Sequence, residues 1–581
     1  MNKQEFDILY LLYKTKTTIS QREIAKQCSI SLGKVNATLK DFSDKGWIES
    51  SNKVTSLGEV ALEPYKVRNA VILAAGMSTR FVPFSFEKPK GLMVCKGEVL
   101  IERQINQLRE AGVTEIVVVV GYMMEQYFYL KEKYGVTIVV NNEYATRNNN
   151  GSIWAARNYL GNSYVCGSDN YFTYNVFESH VYRSFYDSIY AKGHVNERGL
   201  YFDTDGRIYK TERPTTDKWL MFGKSYWSFD FAKKFLAILE AEYNNPVIRD
   251  YLWEWIYDLH INELDLYIKQ YPDNTILEFD SLDDLRAFDD YYITNTDSCI
   301  LDNICKILSC KPSDISGIAP MKGGLTNKTF SFMCNGSKYV YRHPGFYDIN
   351  RKNEAAAQTV ASTLGIDNSL VYMDDCEGWK ISAFVANETV IDFTNEDQLY
   401  AVLDIVKRLQ SCNKRALTDF DFWEESLKIE KNISYAGKQR LASFSKMKKK
   451  IEELNRYLKE NPWPSKLSHN DISAPNLLCS DGHINLIDWE FAGNNDMGFD
   501  IVKPVMRAGF IGVKARKIFA NYFEREITLN DEKHLMACAA VTAWFWFVWD
   551  IRNEINGVNV GDFILLWYEK AQQYSEYALS I

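Results

Sequence analysis

The sequence predicts a multidomain α/β protein, and three observations support this fold class. Residues 1–66 carry a helix–turn–helix pattern, residues 67–293 alternate apolar strand segments with helical segments, and residues 300–581 open with two strand patterns followed by a helical pattern. Alternation of strands and helices is typical of a mostly parallel sheet covered by helices. Because a chain of 581 residues is too long for one hydrophobic core, we expect three domains with these boundaries.

The first predicted domain, residues 1–66, resembles a winged helix-turn-helix. Residues 20–23 have the form of a capping box that opens the second helix, and short strand patterns near residues 47–55 correspond to a wing. The resemblance implies that the helix over residues 32–42 enters the DNA major groove with Lys34, Asn36, Thr38 and Lys40. The domain has ten basic and eight acidic residues, a small excess for a DNA binder. DNA binding and a protein-contact or regulatory role therefore both stay open.

The second predicted domain opens with an apolar strand, residues 71–73, that turns into a loop at Gly76. The backbone N–H groups of such a loop can face phosphate groups, and ligands of these folds bind at the carboxyl ends of the strands. Two basic residues follow at positions 80 and 90. We therefore predict that a nucleotide is bound by Leu73, Ala74, Ala75, Gly76, Arg80 and Lys90.

This segment resembles the opening of the nucleotidyltransferases that activate sugars and phospho-alcohols, which read Leu-Ala-Ala-Gly, then Arg, then Pro-Lys. Over most of residues 68–292 the chain looks like the bacterial CTP:phosphocholine cytidylyltransferases. The segments that carry this resemblance are residues 100–105, 119–122, 129–136, 148–152 and 162–165. The resemblance implies a Rossmann-like α/β domain that transfers CMP from CTP to phosphocholine. Arg80 and Lys90 would be catalytic, because they can stabilise negative charge that grows in the transition state.

Two aspartates are the predicted metal ligands of this domain. Asp169 follows an apolar strand that ends at Val165, and the resemblance makes it equivalent to a metal-binding aspartate of the family. Magnesium is usually held by one or two carboxylates together with phosphate oxygens, and Asp280, between a strand and a helix, is the candidate second ligand. Two alternatives stay open: Asp280 caps the helix that begins near Ser281, or Glu254 takes its place as ligand.

Two departures from the family pattern affect how the substrates are predicted to bind. Ser78 stands where many relatives have a second glycine, and residues 194–201 lack the tryptophan-bearing segment expected around a choline headgroup. Tyr226 and Trp227, together with Trp219, are predicted to form an aromatic box instead. Packing in the core is the alternative use of each ring.

The third predicted domain contains His-x-Asp-x-x-x-x-Asn at residues 469–476, followed by an aspartate at position 488. Protein kinases use this spacing to activate the acceptor hydroxyl and to hold magnesium on ATP. We predict Asp471 as the catalytic base and Asn476 and Asp488 as metal ligands.

The residue that supplies a nucleotide-binding cation in this domain is predicted from its position at the end of a strand. Residues 328–334 and 337–342 have strand patterns, and the glycine-containing segment 323–327 precedes them. Arg342 stands where kinases place a strand lysine that binds the nucleotide, and Glu354 on the next helix is its predicted partner.

Residues 315–575 resemble the choline and ethanolamine kinases and the wider aminoglycoside phosphotransferase group, an α+β fold like that of protein kinases. Choline kinase is favoured by Gly345, by residues 488–490 and 498–501, and by the tryptophan-rich segment 544–549.

Two tryptophans of that segment are the predicted choline ligands. Trp546 and Trp549 share a helix face, and a quaternary ammonium, which has no hydrogen to donate, is held by aromatic faces and a nearby carboxylate. We predict that Trp546, Trp549 and Glu490 bind choline. Asp500 is the alternative carboxylate, and an aromatic core stripe is the alternative for the tryptophans.

The composition limits the partners and the location. The net charge of −9 argues against nucleic acid or an anionic membrane as the main partner of the whole chain. The eleven cysteines are scattered without a CxxC pair, which is typical of reduced thiols in a cytoplasmic protein. We see no signal-peptide pattern and no apolar run approaching 18 residues, and we expect no membrane insertion.

The two enzymatic halves indicate consecutive reactions. The kinase half would phosphorylate choline with ATP, and the transferase half would convert phosphocholine and CTP into CDP-choline and pyrophosphate, with Mg²⁺ as the cofactor of both. Two alternatives stay open. The same reactions could act on ethanolamine or another small alcohol, or the chain could be a metabolite-sensing transcriptional regulator with degenerate enzyme domains that binds DNA through residues 1–66.

Overall fold

The computed structural model describes residues 1–15, 19–321, 327–345, 349–387, 389–480 and 482–581. The chain forms two compact units, Met1–Asp302 and Asn303–Ile581. The first unit contains the first two predicted domains, and the second unit contains most of the third. The predicted glycine segment, residues 323–326, lies outside the described residues.

Residues 1–66, here called the N-terminal module, form four helices and a small wing. The helices are α1 Lys3–Lys14, α2 Gln21–Gln27, α3 Leu32–Asp44 and α4 Ser56–Leu62. The side chains of Asn2, Ser20 and Ser31 accept hydrogen bonds from backbone N–H groups at the starts of α1, α2 and α3, as N-cap residues do. Ile48 and Val54 pair as an antiparallel bridge in the wing.

The exposed face of α3 differs from the prediction at one residue. Lys34, Asn36 and Lys40 are exposed, whereas Thr38 is buried on the same side as Val35. Residues three apart on a helix share a face, so Thr38 belongs to the core of the module. Its predicted contact with DNA is therefore wrong.

The N-terminal module is attached to the rest of the first unit through α1. The Tyr10 hydroxyl accepts a hydrogen bond from the Ser179 backbone N–H at 3.2 Å. The His180 ring packs between Tyr10 and Tyr13, with ring centroids 5.4 and 5.2 Å apart. Burial, assisted by the charge of Lys66, lowers the pKa of His180 to about 4. The imidazole is therefore neutral in the folded protein near neutral pH.

We expect this contact to weaken in acid. The folded-state pKa of His180 lies below its ordinary value of 6.5, so the unfolded state binds more protons between pH 6.5 and pH 4. The stabilising contribution is complete above pH 6.5 and is lost as the pH falls towards 4, with a loss of about 2 kcal/mol by pH 5. Urea unfolding of His180→Gln between pH 7 and 5 should show a shallower loss than the wild type. His194→Gln, at an exposed position, is the matched control, and equal slopes for His180→Gln and wild type would contradict the prediction.

The remainder of the first unit is a twisted α/β sheet with short accessory strands. Its strands are β1 Asn69–Ala74, β2 Val94–Cys95, β3 Glu98–Val99, β4 Glu115–Val120, β5 Thr137–Val140, β6 Ser163–Gly167, β7 Asn170–Phe172, β8 Phe185–Val195, β9 Gly199–Phe202, β10 Ile208–Glu212, β11 Thr215–Trp227, β12 Tyr267–Gln270 and β13 Ile276–Glu278. Its helices are α5 Phe84–Glu87, α6 Leu100–Glu110, α7 Tyr129–Tyr134, α8 Asn149–Ala155, α9 Phe229–Glu242, α10 Pro246–Arg249, α11 Trp253–Leu259, α12 Leu282–Phe288 and α13 Tyr291–Thr294. The next helix, α14 Cys299–Leu308, runs across the division between the two units at Asp302.

The large sheet has the order β10-β9-β11-β6-β1-β4-β5, with β8 and β12 attached through β11. Strands β6, β1, β4 and β5 are mutually parallel, as the alternating pattern predicted, and β11 continues the sheet in the antiparallel sense. β13 pairs with β7 in a separate ladder. The carboxyl ends of β1 and β6 thus lie side by side, next to the β7–β13 ladder.

A buried ion pair lies within this sheet. Lys224 Nζ is 2.7 Å from Asp187 Oδ2, and both side chains are fully buried. The ammonium group is surrounded at 5.1 to 5.6 Å by the rings of Tyr164, Phe172, Phe177, Phe185 and Tyr271. A buried pair of this kind adds little net stability, but removal of one partner leaves an uncompensated charge.

Lys224→Met is expected to destabilise the first unit by about 3–5 kcal/mol, because it leaves the Asp187 carboxylate buried without its cation. The double variant Lys224→Met/Asp187→Leu should recover most of this loss. Urea unfolding of both variants measures the difference. A double variant as unstable as the single one would contradict this account.

The second unit combines an antiparallel sheet with a helical lobe. Its strands are β14 Ile315–Pro320, β15 Lys328–Cys334, β16 Ser337–His343, β17 Leu370–Met373, β18 Lys380–Ala383, β19 Ser465–Ser468, β20 Leu477–Ser480, β21 His483–Leu486 and β22 Gly493–Asp496. The sheet order is β14-β15-β16-β18-β17, and two ladders, β19–β22 and β20–β21, carry the loops between the sheet and the lobe. The helices are α15 Arg351–Thr363, α16 Glu396–Ser411, α17 Phe422–Asn432, α18 Tyr435–Ala442, α19 Ser445–Glu460, α20 Gly498–Arg507, α21 Gly512–Phe523, α22 Leu529–Ile555 and α23 Phe563–Ser580.

Helix α22 forms the centre of the helical lobe. Of the helices in the described part of the chain, it alone is long and apolar enough to cross a membrane, with a mean hydropathy of 1.3 over 18 residues. That stretch is entirely buried inside the second unit. The sequence-based expectation that no such run exists is therefore corrected: α22 meets the length and composition, and in this fold it packs as a core helix.

Candidate active sites

A cavity of about 730 Å³ opens at the carboxyl ends of β1 and β6. Four of the predicted nucleotide-binding residues line it, namely Leu73, Ala75, Gly76 and Arg80. Ala74 is buried within β1, and Lys90 is buried just after the loop. The glycine loop, as predicted from its position after a strand, therefore forms one wall of the cavity.

Lys90 gathers three carboxylates at this cavity. Its Nζ lies 2.9 Å from Asp169 Oδ2, 3.0 Å from Asp280 Oδ1 and 3.3 Å from Glu278 Oε1, and Arg80 Nη2 lies 3.2 Å from Asp280 Oδ2. We call Lys90, Asp169, Glu278 and Asp280 the carboxylate site. The structure thus brings together Arg80, Lys90, Asp169 and Asp280, which were predicted separately.

Local structure explains this convergence. Asp169 lies in the short connection between β6 and β7, and β13 pairs with β7 so that Glu278 lies opposite Asn170. Asp280 follows β13 directly. It is not the N-cap of α12, since Ser281 accepts the capping hydrogen bond, and the capping alternative for Asp280 is therefore wrong.

The charged groups of the carboxylate site shift each other's pKa values. Burial alone would lower the pKa of Lys90, but the three carboxylates raise it above its usual value. Burial pushes the pKa of Asp169 upward, yet Lys90 lowers it overall. The charge of Asp169, together with burial, raises the pKa of Glu278 to about 8. A clustered set of carboxyl oxygens fits a hard divalent cation such as Mg²⁺, whose charge would also favour the ionised form of Glu278.

Aromatic and acidic residues form the far wall of the cavity. The rings of Tyr186 and Trp253 are stacked with centroids 5.7 Å apart, and Tyr186 donates a hydrogen bond of 3.1 Å to Glu254 Oε1. All three residues line the cavity. Because Asn149 donates to the other oxygen of Glu254 at 3.2 Å, each oxygen of this carboxylate accepts a hydrogen bond from a neutral donor. The structure gives no support to Glu254 as the alternative metal ligand.

Neither Tyr226 nor Trp227 lines the cavity, although Trp227 packs edge-on against Trp253 behind this wall, with ring centroids 4.9 Å apart. The rings of Tyr226 and Trp227 are buried and pack into two different hydrophobic clusters, and Trp227 Nε1 donates to Ser225 Oγ at 3.0 Å. Trp219 instead contacts Tyr190 edge-on, with ring centroids 5.6 Å apart. The prediction of an aromatic box from these residues is corrected, because β11 has sheet neighbours on both sides and both of its faces are covered here.

The second unit holds the predicted kinase residues in one loop region. Asn476 Nδ2 donates to Asp471 Oδ2 at 3.0 Å, so the carbonyl oxygen of this amide is the atom left to bind a metal. The loop is fixed by Asp500, which accepts hydrogen bonds from the backbone N–H groups of His469 and Asn470 at 2.7 and 2.8 Å. Asp500 therefore positions the catalytic loop, and its alternative role as a choline ligand is not supported.

A second cavity, of about 480 Å³, is lined by Arg342, Lys380, Asn476 and Asp488. Arg342 lies 2.6 Å from Glu354 Oε1 and 3.0 Å from Asp488 Oδ1, so the predicted pairing with Glu354 is present. Lys380 is a buried residue of β18, and its Nζ lies 3.9 Å from Glu354 Oε1. It was missed in the sequence because no local motif marks it. The two buried cations and the Asp488 carboxylate together fit a metal–triphosphate group.

The predicted choline tryptophans pack in the helical lobe, whereas Glu490, the predicted carboxylate, interacts electrostatically with Asp488 and Arg342. Trp546 and Trp549 pack against Phe491 with ring centroids 5.4 and 5.2 Å apart. Trp567 stacks on Trp546 at 6.2 Å, and we call these three the tryptophan cluster. Glu490 accepts a hydrogen bond of 2.9 Å from Asn327, and burial, together with Asp488, raises its pKa to about 8.

Lys503 connects this cluster to the catalytic loop and was missed in the sequence. Its Nζ is 2.5 Å from Asp471 Oδ1 and 3.9 Å from the centre of the Trp546 ring. Asp471 and the tryptophan cluster are therefore adjacent.

Comparisons with known proteins agree with this arrangement. Residues 1–49 match the family described as winged helix-turn-helix DNA-binding, residues 70–173 match the MobA-like NTP transferase domain, and residues 318–506 match choline/ethanolamine kinase. Choline-phosphate cytidylyltransferase from Streptococcus pneumoniae is 36% identical over 221 residues, which cover 38% of this chain and 96% of that protein. The chain belongs to the cytidylyltransferase family.

This chain also has other relatives, which cover each of its two halves. It is 36% identical to 2-aminoethylphosphonate cytidylyltransferase from Lancefieldella rimae over 229 residues, which cover 39% of this chain and 93% of that protein. It is 25% identical to protein LicA from Haemophilus influenzae over 261 residues, which cover 42% of this chain and 95% of that protein. The predicted order of winged helix-turn-helix, nucleotidyltransferase and choline kinase-like domains is confirmed. Both enzyme families generally use a divalent metal ion.

Proposed function

We propose that this chain catalyses two consecutive reactions, the phosphorylation of choline by ATP and the transfer of CMP from CTP to phosphocholine. The observation that carries the proposal is the presence of two separately built sites in one chain. One has three carboxylates around Lys90, and the other has Asp471 beside Asn476. The product expected of the second site is the substrate expected of the first.

In the cytidylyl transfer, a phosphate oxygen of phosphocholine attacks the α-phosphorus of CTP in line, and pyrophosphate leaves. Arg80 and the backbone N–H groups near Gly76 would hold the triphosphate at the strand ends. Lys90 would neutralise charge that develops between the α-phosphorus and the leaving group. Mg²⁺, when bound by Asp169, Asp280 and Glu278, would supply further positive charge there. No covalent intermediate on the protein is required.

The headgroup would bind at the far wall of this cavity. Stacked Tyr186 and Trp253 offer aromatic faces, and Glu254 offers a carboxylate, which are the groups that hold a quaternary ammonium. The sequence is 36% identical both to choline-phosphate cytidylyltransferase and to 2-aminoethylphosphonate cytidylyltransferase. This equal identity supports a headgroup with a primary ammonium as the second candidate. Competition between phosphocholine, phosphoethanolamine and 2-aminoethylphosphonate for CTP-dependent pyrophosphate release separates them, since the preferred headgroup gives the highest kcat/KM.

In the kinase reaction, Asp471 would accept the proton of the choline hydroxyl while the oxygen attacks the γ-phosphorus of ATP, and ADP leaves with the bridging oxygen. Arg342 and Lys380 would hold the ATP phosphates from β16 and β18. Asn476 and Asp488 would hold Mg²⁺, which would screen the charge of the transferred group. Glu490, predicted as a choline ligand, lies next to Asp488 and its role stays a proposal.

The proposal is tested by incubating the full chain with choline, ATP, CTP and Mg²⁺. Phosphocholine should appear first and CDP-choline with pyrophosphate should follow. Formation of CDP-choline from added phosphocholine without any phosphocholine from choline would reject the kinase assignment. Turnover in neither reaction would favour the regulator alternative.

The role of the N-terminal module is a separate proposal. The exposed Lys34, Asn36 and Lys40 of α3 and the matched winged helix-turn-helix family support contact with DNA. Gel-shift titration at low and high salt tests it, because binding through phosphate contacts weakens steeply with salt. Failure of the protein to bind DNA at low salt would leave a protein-contact or regulatory role for the N-terminal module. The cytoplasmic location of the protein stays a prediction.

A further inference from the structure

Lys503 of α20 lies inside the second unit, between the catalytic carboxylate and the tryptophan cluster. Its side chain is 2% exposed, and its ammonium group contacts Asp471 at 2.5 Å. The same nitrogen lies 3.9 Å from the centre of the Trp546 ring and 5.8 Å from that of Trp567. The cation therefore occupies the aromatic face that was predicted to hold the choline ammonium.

Each ring of the tryptophan cluster is covered by a cation of the chain itself. Arg552 lies 4.4 Å from the centre of the Trp549 ring, and Arg507 lies 5.4 Å from that of Trp567. Of the three cations, Lys503 is the one that also contacts Asp471. A quaternary ammonium beside the catalytic base must therefore compete with Lys503 for the same aromatic face.

The surroundings of Lys503 can take more positive charge than one ammonium supplies. Asp550 lies four residues after Trp546 on α22 and is 4% exposed. Its Oδ2 is buried, and neither this atom nor Trp546 Nε1 has a hydrogen-bond partner among the described residues. Burial, reinforced by Glu554 and opposed by Lys503, raises the pKa of Asp550 to about 7. A buried carboxylate oxygen without a donor is costly, and a bound cation would relieve that cost.

We propose that Lys503 is a specificity-determining residue of the kinase reaction, which holds the ammonium site until a cationic acceptor displaces it from Trp546. The inference rests on the proposed choline kinase activity and adds the condition under which an alcohol can bind as the phosphoryl acceptor. A cationic alcohol replaces the charge of Lys503 over the ring and beside Asp550. A neutral alcohol of the same shape cannot replace that charge and leaves Lys503 on Asp471.

Displacement of Lys503 also has a consequence for Asp471, the proposed catalytic base. While the ammonium group contacts Asp471 Oδ1, that oxygen is engaged by the ammonium N–H. Once Lys503 moves away, the oxygen can accept the hydroxyl proton of the acceptor. Binding of the cationic headgroup and activation of the base are therefore linked through one side chain.

The first test compares KM for choline in Lys503→Met and in the wild type. Removal of the competing cation should lower KM by about tenfold, which corresponds to about 1.4 kcal/mol and lies within the range of a desolvated cation–π contact. Lys503→Arg, which keeps a cation, should lower KM far less. Lys517→Met, at an exposed position paired with Glu396, is the matched control. An unchanged or higher KM in a Lys503→Met protein that melts like the wild type would overturn the proposal.

The second test uses the wild-type protein and does not depend on the folding of a variant. Lys503 is too buried for reaction with an amine-acetylating reagent, so mass spectrometry should find little label on it. Addition of choline should raise the labelling of Lys503 several-fold, whereas 3,3-dimethylbutan-1-ol, the neutral isostere, should not. No increase with choline, or an equal increase with both alcohols, would overturn the proposal. Absence of phosphocholine formation in the same preparation would instead reject the proposed kinase function, which keeps the two failures distinct.

Discussion

Asp471→Asn is expected to reduce phosphocholine formation from choline and ATP by about 10²–10⁴-fold. The asparagine keeps the size of the side chain but cannot take the proton of the acceptor hydroxyl, and general base catalysis is worth a factor of this order. Its amide oxygen can still accept the hydrogen bond from Asn476, which in the wild type is 3.0 Å long, although its amide nitrogen then faces Lys503. Asn476 also donates to the backbone carbonyl of residue 471 at 3.0 Å, and the substitution keeps this bond. The loop should therefore keep its shape. Phosphocholine produced per unit time at saturating ATP and choline is the quantity to measure.

The same variant separates the two halves of the chain. CDP-choline formation from added phosphocholine and CTP should continue at the wild-type rate, because that reaction is assigned to residues of the first unit. Asp404→Asn, an exposed helical position paired with Arg408, is the matched control and should affect neither step. Loss of both reactions in Asp471→Asn, or loss of neither, would contradict the assignment of the base.

Three of the four parallel strands of the first unit, β1, β4 and β6, were predictable because they are buried on both faces. The apolar run over residues 115–120 corresponds to β4, Glu115–Val120, and such runs are typical of central parallel strands. The predicted helix over residues 100–111 likewise matches α6, Leu100–Glu110. The antiparallel extension by β8 and β11 was not predicted, since its register depends on pairing across long stretches of chain.

Site residues were predictable where a local motif marks them. Asp169 and Lys90 follow strand ends or loops with recognisable sequences, and the structure places them 2.9 Å apart. Glu278 carries no such mark. It joins the carboxylate site only because β13 pairs with β7, more than 100 residues earlier in the chain. Lys380 and Lys503 were missed for the same reason, as their neighbours come from distant segments.

Aromatic residues were the least predictable part of the site in the first unit. Tyr226 and Trp227 are adjacent on a strand and so point to opposite faces of the sheet, and both faces are covered by other elements. Tyr186 and Trp253, which line the cavity, lie 67 positions apart and no spacing rule connects them. Composition identifies rings that can bind a cation, but the packing of the whole unit decides which rings do.

Asp169→Asn is expected to stop the reaction sequence at phosphocholine. The substitution removes one carboxylate from a site where Lys90, Glu278 and Asp280 remain, so the remaining charges hold a divalent cation less tightly. Loss of a partner outside the ligand shell already costs about 10–100-fold. We therefore expect CDP-choline formation from phosphocholine and CTP to fall by more than about a hundredfold, measured as pyrophosphate release at fixed Mg²⁺.

The metal dependence distinguishes a ligand from a residue that only supports the fold. If Asp169 holds the cation, the Mg²⁺ concentration for half-maximal rate should rise in Asp169→Asn, and excess Mg²⁺ should recover part of the activity. Asp205→Asn, which removes an exposed partner of Arg183, should keep the wild-type metal dependence. Phosphocholine should still form from choline and ATP at the normal rate and accumulate. An Asp169→Asn protein with normal pyrophosphate release would remove Asp169 from the chemistry, and the carboxylate site would then have to act through Glu278 and Asp280 alone.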